Sequence, residues 1–279
     1  MYAALFLLIW FAAFAVAEAC LARGAAIARG GGDGRLATNF GLTALILFGS
    51  AIMPLVGLGV LARGPQGGGG LMAVLGLGTV AIFLLTLLAR TFVAYWVHRL
   101  VHAIPLLWRI HRVHHADDHV DISTSLRNHP LELLFAAPSA TLVLLALGTP
   151  IALVVAVDTI LFAAAIWQHA DIPLPGRLER GLGAIFVTPG IHRLHHAPDR
   201  VLHDSNFGDI LTVWDRLFGT FNPVSACAER VGLDGEAVRS DSFWGQLCAP
   251  FTSSPSPPGR AKPSRRRWDE INERSERQV

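Results

Sequence analysis

Eight histidines fall into three boxes, His98-x-x-x-His102, His111-x-x-His114-His115 and His192-x-x-His195-His196, and all twelve histidines of the chain lie between His98 and His203. Neutral imidazole is the commonest side-chain ligand for transition metals. Positions i, i+3 and i+4 share a helix face, so each box is expected to aim its rings in one direction. The H-x-x-H-H pattern occurs twice, each time followed by Ala, which chance scatter does not produce. For the lone His119 and His203, an ordinary hydrogen-bonded role is the expectation. Four histidines satisfy one tetrahedral zinc; eight or more point to two ions of higher coordination. Soluble di-iron bundles use Glu and Glu-x-x-His pairs. A site made almost wholly of neutral imidazole leaves more positive charge on the metals and suits an oxidant, which favours iron over zinc. The zinc-protease pattern H-E-x-x-H is not met, because the first box reads His-Arg-Leu-Val-His.

The elements that position these boxes must be built for lipid. The chain has 279 residues, 52% hydrophobic and only 16% charged, with mean hydropathy +0.45, against about 25% charged in an ordinary soluble domain. A net charge of +2 gives no reason to expect nucleic acid. The basic residues are 22 Arg and one Lys, read as compositional bias. Cys20, Cys227 and Cys248 form no C-x-x-C pair, so neither a disulfide framework nor an iron–sulfur or zinc-finger site is expected. A Gly76-Leu-Gly78-Thr-Val-Ala81 string looks formally like a dinucleotide fingerprint, but it sits in an apolar span with no strand before it.

About 20 apolar residues cross a bilayer as a helix. Residues 2–17, 36–62 and 65–89 are uncharged, and the chain's start lacks the basic region of a cleavable signal, so the first run is read as a permanent anchor. Leu133 to His169 is apolar apart from Asp158 and the turn Gly148-Thr149-Pro150, and reads as a hairpin. The expectation is an all-α integral membrane bundle of four or five spans, with residues 71–103 as one long helix and a helical cap carrying a dimetal site. Asp158, mid-span, either contacts a substrate hydroxyl or hydrogen-bonds a neighbouring helix. Arg23, Arg29 and Arg35 follow the first span and Arg63 alone follows the second, which places the histidine cap on the cytoplasmic side. Residues 1–95 are read as N-terminal membrane helices, 96–222 as the catalytic region with its hairpin 133–169, and 223–279 as a tail, disordered from about 252. Before that point Phe243 and Trp244 either lie on the membrane or simply pack.

These residues resemble the fatty acid hydroxylase/sterol desaturase superfamily of integral-membrane di-iron oxygenases. The likeness covers about residues 85–222. It rests on the three boxes, on the segment from Asp121 through Thr124, Arg127, His129 and Pro130 to Glu132, on Gln168-His169-Ala170-Asp171, and on the closing Asp204-Ser-Asn206-Phe207-Gly208 with Trp214-Asp215-Arg216. The resemblance implies that His98, His102, His111, His114, His115, His169, His192, His195 and His196 bind two irons. His129, Asp171, Asp204 and Asn206 are expected as further ligands or as partners that orient the ligands, with Asp215 alongside; a local helix cap is the plainer role for Asp204, Asn206 and Asp215. Asp171 stands where the family usually has Asn; if it orients His169, an acid there makes the ring more basic.

The resemblance further implies O2 as co-substrate, a lipid from the bilayer whose C–H bond is hydroxylated or desaturated, and an external electron donor of ferredoxin or cytochrome type. Two other classes compete: a metal-binding or metal-transport protein, disfavoured because polar residues do not line several spans, and a zinc-dependent lipid hydrolase. The resemblance leaves sterols, acyl chains, carotenoids, hopanoid-like lipids and alkyl ethers all open as substrates.

Overall fold

In the computed structural model the described residues are 2–21, 33–52, 71–223, 230–233 and 242–252. They are helical, with one isolated β-bridge between Phe186 and Leu211 and no strand among them. The long helices are α1 (Tyr2–Leu21), α2 (Asp33–Ile52), α3 (Thr79–Ala103) and a hairpin of α5 (Leu133–Leu147) and α6 (Ile151–His169); α4 (Pro105–His115), α7 (Gly176–Gly183) and α8 (Pro189–His195) belong to the cap. Four helices are long and apolar enough to cross a membrane: Tyr2–Leu21, Thr79–Ala103, Pro130–Leu147 and Ile151–His169. Their outer faces leave large apolar side chains exposed, among them Leu8, Val80, Leu134 and Leu142, which water would penalise and lipid accepts.

The helices converge on one end of the bundle. Trp10 Nε1 donates to the Ala163 carbonyl at 3.0 Å, and Phe14 meets Trp167 edge-on at 5.8 Å. Glu18 Oε1 accepts from the backbone N–H of Asp171 at 2.7 Å and of Ile122 at 3.0 Å. Thus α1 and α6 run side by side in the same direction and finish together. At that end α3 delivers His98 and His102, α2 begins, and α5 departs. The histidine cap closes over this end, so the boxes share one face of the bundle.

A buried polar cluster ties α2 to the cap. Arg35 pairs with Asp117 at 3.0 Å and with Asp121, and donates to the His119 carbonyl. Asn39 donates to Ser123 at 2.9 Å, and Arg127 donates to Asn39 Oδ1 and to the Val113 carbonyl, both at 2.8 Å. Asp121 also caps the short 3-10 helix Ile122–Leu126 through a capping box with Thr124. Leu42, Val113 and Ala249 pack beside this cluster with Phe243 and Leu247. Phe243 therefore packs, its ring lying against Gly41, while Trp244 stays 72% exposed.

Several expectations need correction. The stretch 36–62 is not among the four spans: α2 starts at Asp33 and buries Arg35, Thr38 and Asn39 in its first half; residues 53–62 lie outside the described residues. The uncharged run 65–89 does not bound the span, which runs over 79–103 with Arg90 inside it. Residues 71–103 are not one helix: Leu71–Val74 forms a single turn, and Gly76 at φ +61 breaks the chain before α3, a conformation glycine adopts without the usual Cβ cost. With 25 residues, α3 still measures about 37 Å, enough to cross. Arg35, counted with the loop charges, is buried in ion pairs; Arg23, Arg29, Arg63 and the tail read as disordered (253–279) lie outside the described residues. The hairpin turn falls where the sequence placed it, with Gly148 left-handed at φ +69 and α6 starting at Ile151. Asp158 contacts a neighbouring helix, accepting from Arg90 Nη2 at 2.9 Å.

Candidate metal centre

Two proline-led helices carry the second and third boxes. Ile104 is extended (φ −96, ψ 117) ahead of Pro105, as a residue preceding proline prefers. The chain therefore leaves α3 and re-enters helix as α4, folding the second box back over the first. Thr188 caps α8 by accepting from the Ile191 N–H, with Pro189 in the first turn. The same hydroxyl donates to Glu179. Gly190 lets that carboxylate lie against the helix: a Cβ there would stand 2.6 Å from Glu179 Oε1.

The structure gathers all nine histidines expected as ligands into two adjoining groups, each able to hold a metal ion. His98, His102, His111, His115 and His195 form one, and His114, His169, His192 and His196 the other; within each, one nitrogen per ring lies within 4.8 Å of the rest. The boxes do not each aim one way. The i, i+4 pair His111/His115 serves the first group while His114 serves the second; His192/His196 serves the second while His195 serves the first. The groups touch through stacked His115 and His196, ring centroids 4.6 Å apart.

Backbone carbonyls decide which nitrogen faces inward. Nδ1 donates to Phe207 O from His98 (3.0 Å), to Arg127 O from His114 (3.1 Å), to Ala165 O from His169 (2.7 Å) and to Ser205 O from His195 (2.8 Å). A carbonyl only accepts, so each of these rings holds its proton on Nδ1 and presents a bare Nε2 lone pair. The Nε2 atoms of His169 and His114 face one another at 3.2 Å, and His192 Nε2 lies 3.0 Å from His169 Nε2. In the first group, Nε2 of His98, His102, His111, His115 and His195 is buried with no hydrogen-bond partner. Burial, and then the neighbouring rings, hold His114, His115, His192, His195 and His196 well below the ordinary imidazole range. Neutral rings with converging lone pairs cannot satisfy each other, but a cation satisfies them all. The residues fit a pair of metal ions.

The surrounding partners differ from expectation in part. Asp204 Oδ1 stands 3.4 Å from His102 Nδ1 while Oδ2 accepts from Arg200 at 2.9 Å. Asn206, left-handed at φ +56, touches no ring among the described contacts. Its side chain bonds the Ile191 and Asn222 carbonyls and accepts from the Asn222 N–H. It thereby fixes the turn whose flanking carbonyls, Ser205 and Phe207, take the protons of His195 and His98. Asp215 braces the same turn by accepting from the Phe207 and Gly208 N–H groups at 2.7 and 2.8 Å. His129 is in neither group: its Nδ1 accepts from Leu131 N–H and its Nε2 donates to Leu247 O. Asp171 does not orient His169. Its carboxylate faces Arg193 at 3.3 Å, and His169 is held by Ala165 instead. His203, expected to be structural, donates to Ala197 O and stacks on Trp108 at 5.4 Å, yet it also forms a third possible metal-holding group with His102 and Asp204. Sequence reasoning missed the carbonyl partners, since any residue type supplies one.

A cavity of about 300 Å³ opens beside the histidines between α3, α5 and α6. His98, His111, His114, His169 and His192 form one wall; Val93, Val97, Phe135 and Leu161 are among its apolar lining, and Arg90, Gln168 and Asp209 among its polar lining. Burial pushes the Asp209 carboxyl up to about 6, with Arg90 pulling the other way.

Residues 83–220 match the family model described as fatty acid hydroxylase. That segment, just under half of the chain, is similar to the fatty acid hydroxylase family. The chain is similar to ornithine lipid hydroxylase OlsE of Rhizobium tropici, 30% identical over 170 residues, 60% of this chain and 50% of that protein. It is also similar to alkylglycerol monooxygenase of Danio rerio, 35% identical over 136 residues (47% of this chain, 28% of that one). The Homo sapiens alkylglycerol monooxygenase is 33% identical over 132 residues, 46% and 27% of the two chains. The chain spans half or less of the length of these fatty acid hydroxylase relatives. No solved structure matches it significantly.

Proposed function

We propose that this protein is a membrane-bound, O2-dependent di-iron oxygenase that hydroxylates a lipid drawn from the bilayer. The observation that carries the reading is the set of Nδ1-to-carbonyl bonds that turns bare Nε2 lone pairs into two shared centres. His98, His102, His111, His115 and His195 would hold one ion, and His114, His169, His192 and His196 the other. Iron there would supply the redox steps of dioxygen activation, which no side chain provides. The protein's own part is positional. The Ser205–Phe207 turn fixes His98 and His195, and Arg127 fixes His114. Asp204 and, through Asn206, the loop behind the rings keep them from rotating. The valine, phenylalanine and leucine wall of the cavity accepts a hydrocarbon chain between α3, α5 and α6 and excludes water from the histidines.

The relatives' names, a hydroxylase and monooxygenases, favour oxygen insertion over desaturation and give no support to a sterol desaturase subtype. Electrons come from an external donor of ferredoxin or cytochrome type docking on the cap, with the cap on the cytoplasmic side. Metal analysis and lipid mass spectrometry test the proposal together. Two irons per chain, O2 consumption and a host lipid heavier by one oxygen atom are expected. Tightly bound zinc with hydrolysed lipid, or loosely held exchangeable metal without turnover, would replace it with a hydrolase or a metal carrier; a lipid lighter by two hydrogen atoms would make it a desaturase.

A further inference from the structure

A tenth ring is prepared in the same way as the cage ligands but stands outside both groups. His203 Nδ1 lies 3.1 Å from the Ala197 carbonyl, which only accepts, so the ring keeps its proton there and presents a bare Nε2. The same device turns His98, His114, His169 and His195 toward the cage. His203 is 6% exposed and stacks on Trp108. With His102 and Asp204 it forms a third group, whose ligand atoms lie within 4.8 Å of one another. Two imidazoles and one carboxylate, with positions left open, suit first-row dications, Fe2+ among them.

Two features set this group apart from the other two. It reaches toward water: the Asp204 side chain is 33% exposed, while eight of the nine cage rings are buried. The ninth, His98, faces the cavity, where a dication would have to leave water among apolar helices and pass the Arg90 guanidinium, at high cost. Arg200 Nε holds Asp204 Oδ2 at 2.9 Å and leaves Oδ1 toward His102 at 3.4 Å; its charge keeps an ion there loosely held. The group also shares His102 with the first centre. A neutral imidazole has one bare nitrogen. When His102 Nε2 serves the first group, Nδ1 carries the proton and donates to Asp204, and the ring is lost to the outer group. The outer group and the complete first group therefore exclude one another, as befits a site an ion passes through and not a third resident ion. We propose that Asp204, His203 and His102 form the entry port of the first centre, taking a first-row dication from water and passing it inward as His102 gives up the outer group for the inner one. The inference rests on the two-metal reading above and adds how that centre is filled. His203 has no part in holding the ions once they are seated.

The test is stopped-flow uptake of Co2+ by the purified, metal-free, full-length protein in detergent, with release into excess chelator and bound metal at equilibrium measured beside it. The wild type is expected to bind two Co2+ at a rate that rises with Co2+ and then levels off, because binding at the port precedes transfer. His203→Phe keeps a ring against Trp108 and removes the ligand. Losing one of three ligands should weaken the port by about 10–100-fold, the scale of changes around a metal site, and below the plateau uptake should slow by that factor. Its equilibrium content should stay at two, so release should slow equally; a lesion that loosened the cage would speed release instead. His203→Cys, which keeps a ligand, should recover part of the rate. Uptake by His203→Phe at the wild-type rate overturns the port, and so do faster release or fewer than two ions in that variant, or a third Co2+ held by the wild type at saturation. Should neither variant fold, wild-type uptake in strict proportion to Co2+, with no plateau, overturns it as well. A wild type that never binds two ions sinks the two-metal reading itself, whereas a failed port with two ions bound leaves that reading standing.

Discussion

The cap holds two buried polar regions a few residues apart. In the cluster around Arg35, opposite charges answer one another: the Asp117 carboxylate accepts from Arg35, Asn39, Thr124 and the His119 N–H. In the histidine cage, ring nitrogens face ring nitrogens at 3.0 to 3.3 Å, and five Nε2 atoms have no partner. Both regions are desolvated and both draw on distant parts of the chain. The first pairs opposite charges within the fold, leaving Arg35 Nε without a partner, and acts as a fastener for α2. The second is closed only by something brought from outside, which marks it as the place where chemistry is done. The kind of partner, opposite charge in one region and another imidazole in the other, separates the two more than polarity or burial does.

The contrast can be broken most sharply at the cage. His115→Ala and His196→Ala should each lose bound iron and all turnover while the helical circular dichroism and detergent melting profile stay close to wild type; retention of two irons in either variant would remove that residue from the ligand set. In the charged cluster the expected loss is of folding instead. Arg35→Ala strands Asp117 in the interior and should cost about 3–5 kcal/mol of stability, read by thermal unfolding in detergent. Replacing both partners (Arg35→Met with Asp117→Leu) should recover much of it. Unimpaired stability in the single variant would show that the cluster is no fastener.

Between these extremes lies the turn behind the rings. Asn206→Ala forfeits its three hydrogen bonds and strains a backbone at φ +56, and should lower metal affinity about 10–100-fold in a chelator competition. Acidity tests the cage as a whole. In the unfolded chain the rings titrate near 6.5, while in the folded protein burial depresses His114, His115, His192, His195 and His196. Below about pH 6.5 the unfolded state therefore binds more protons, so the metal-free protein should lose stability steadily as pH falls from 6.5 and gain little above it. A melting temperature flat from pH 7 to pH 5 would contradict the burial of neutral rings. The smallest effect on metal should come from Asp171→Asn: its partner is Arg193 and not His169, so metal affinity should not change, while stability should fall because one partner of a largely buried ion pair loses its charge.

Much of this cap could be read from residue types and spacing. Eight of the nine rings announced themselves because imidazole at i, i+3 and i+4 has few other uses, His169 came only from the likeness of Gln168-His169-Ala170-Asp171 to the family, and Gly148 and Pro150 marked the hairpin because few residues turn a chain there. What stayed hidden depended on partners without an identity. The carbonyls of Ser205, Phe207, Arg127 and Ala165 set the tautomers, yet a carbonyl leaves no trace in a sequence. Arg35 looked like one more loop charge because nothing local shows that Asp117 lies 82 positions away in the chain. Arg90 ended an uncharged run, and only the break at Gly76 reveals that it belongs to the middle of a span. The division of each H-x-x-H-H box between two centres also escaped periodicity, which describes one helix face and not what stands opposite it.

On the two-metal reading proposed above, that division has a consequence for how the ions are loaded. Since α4 and α8 each feed both centres, seating the first ion fixes the rotation of both helices and aligns the rings awaiting the second. Loading should therefore run nearly all-or-none during titration, with singly filled molecules scarce, and a slip of either helix by one residue would disable the pair together.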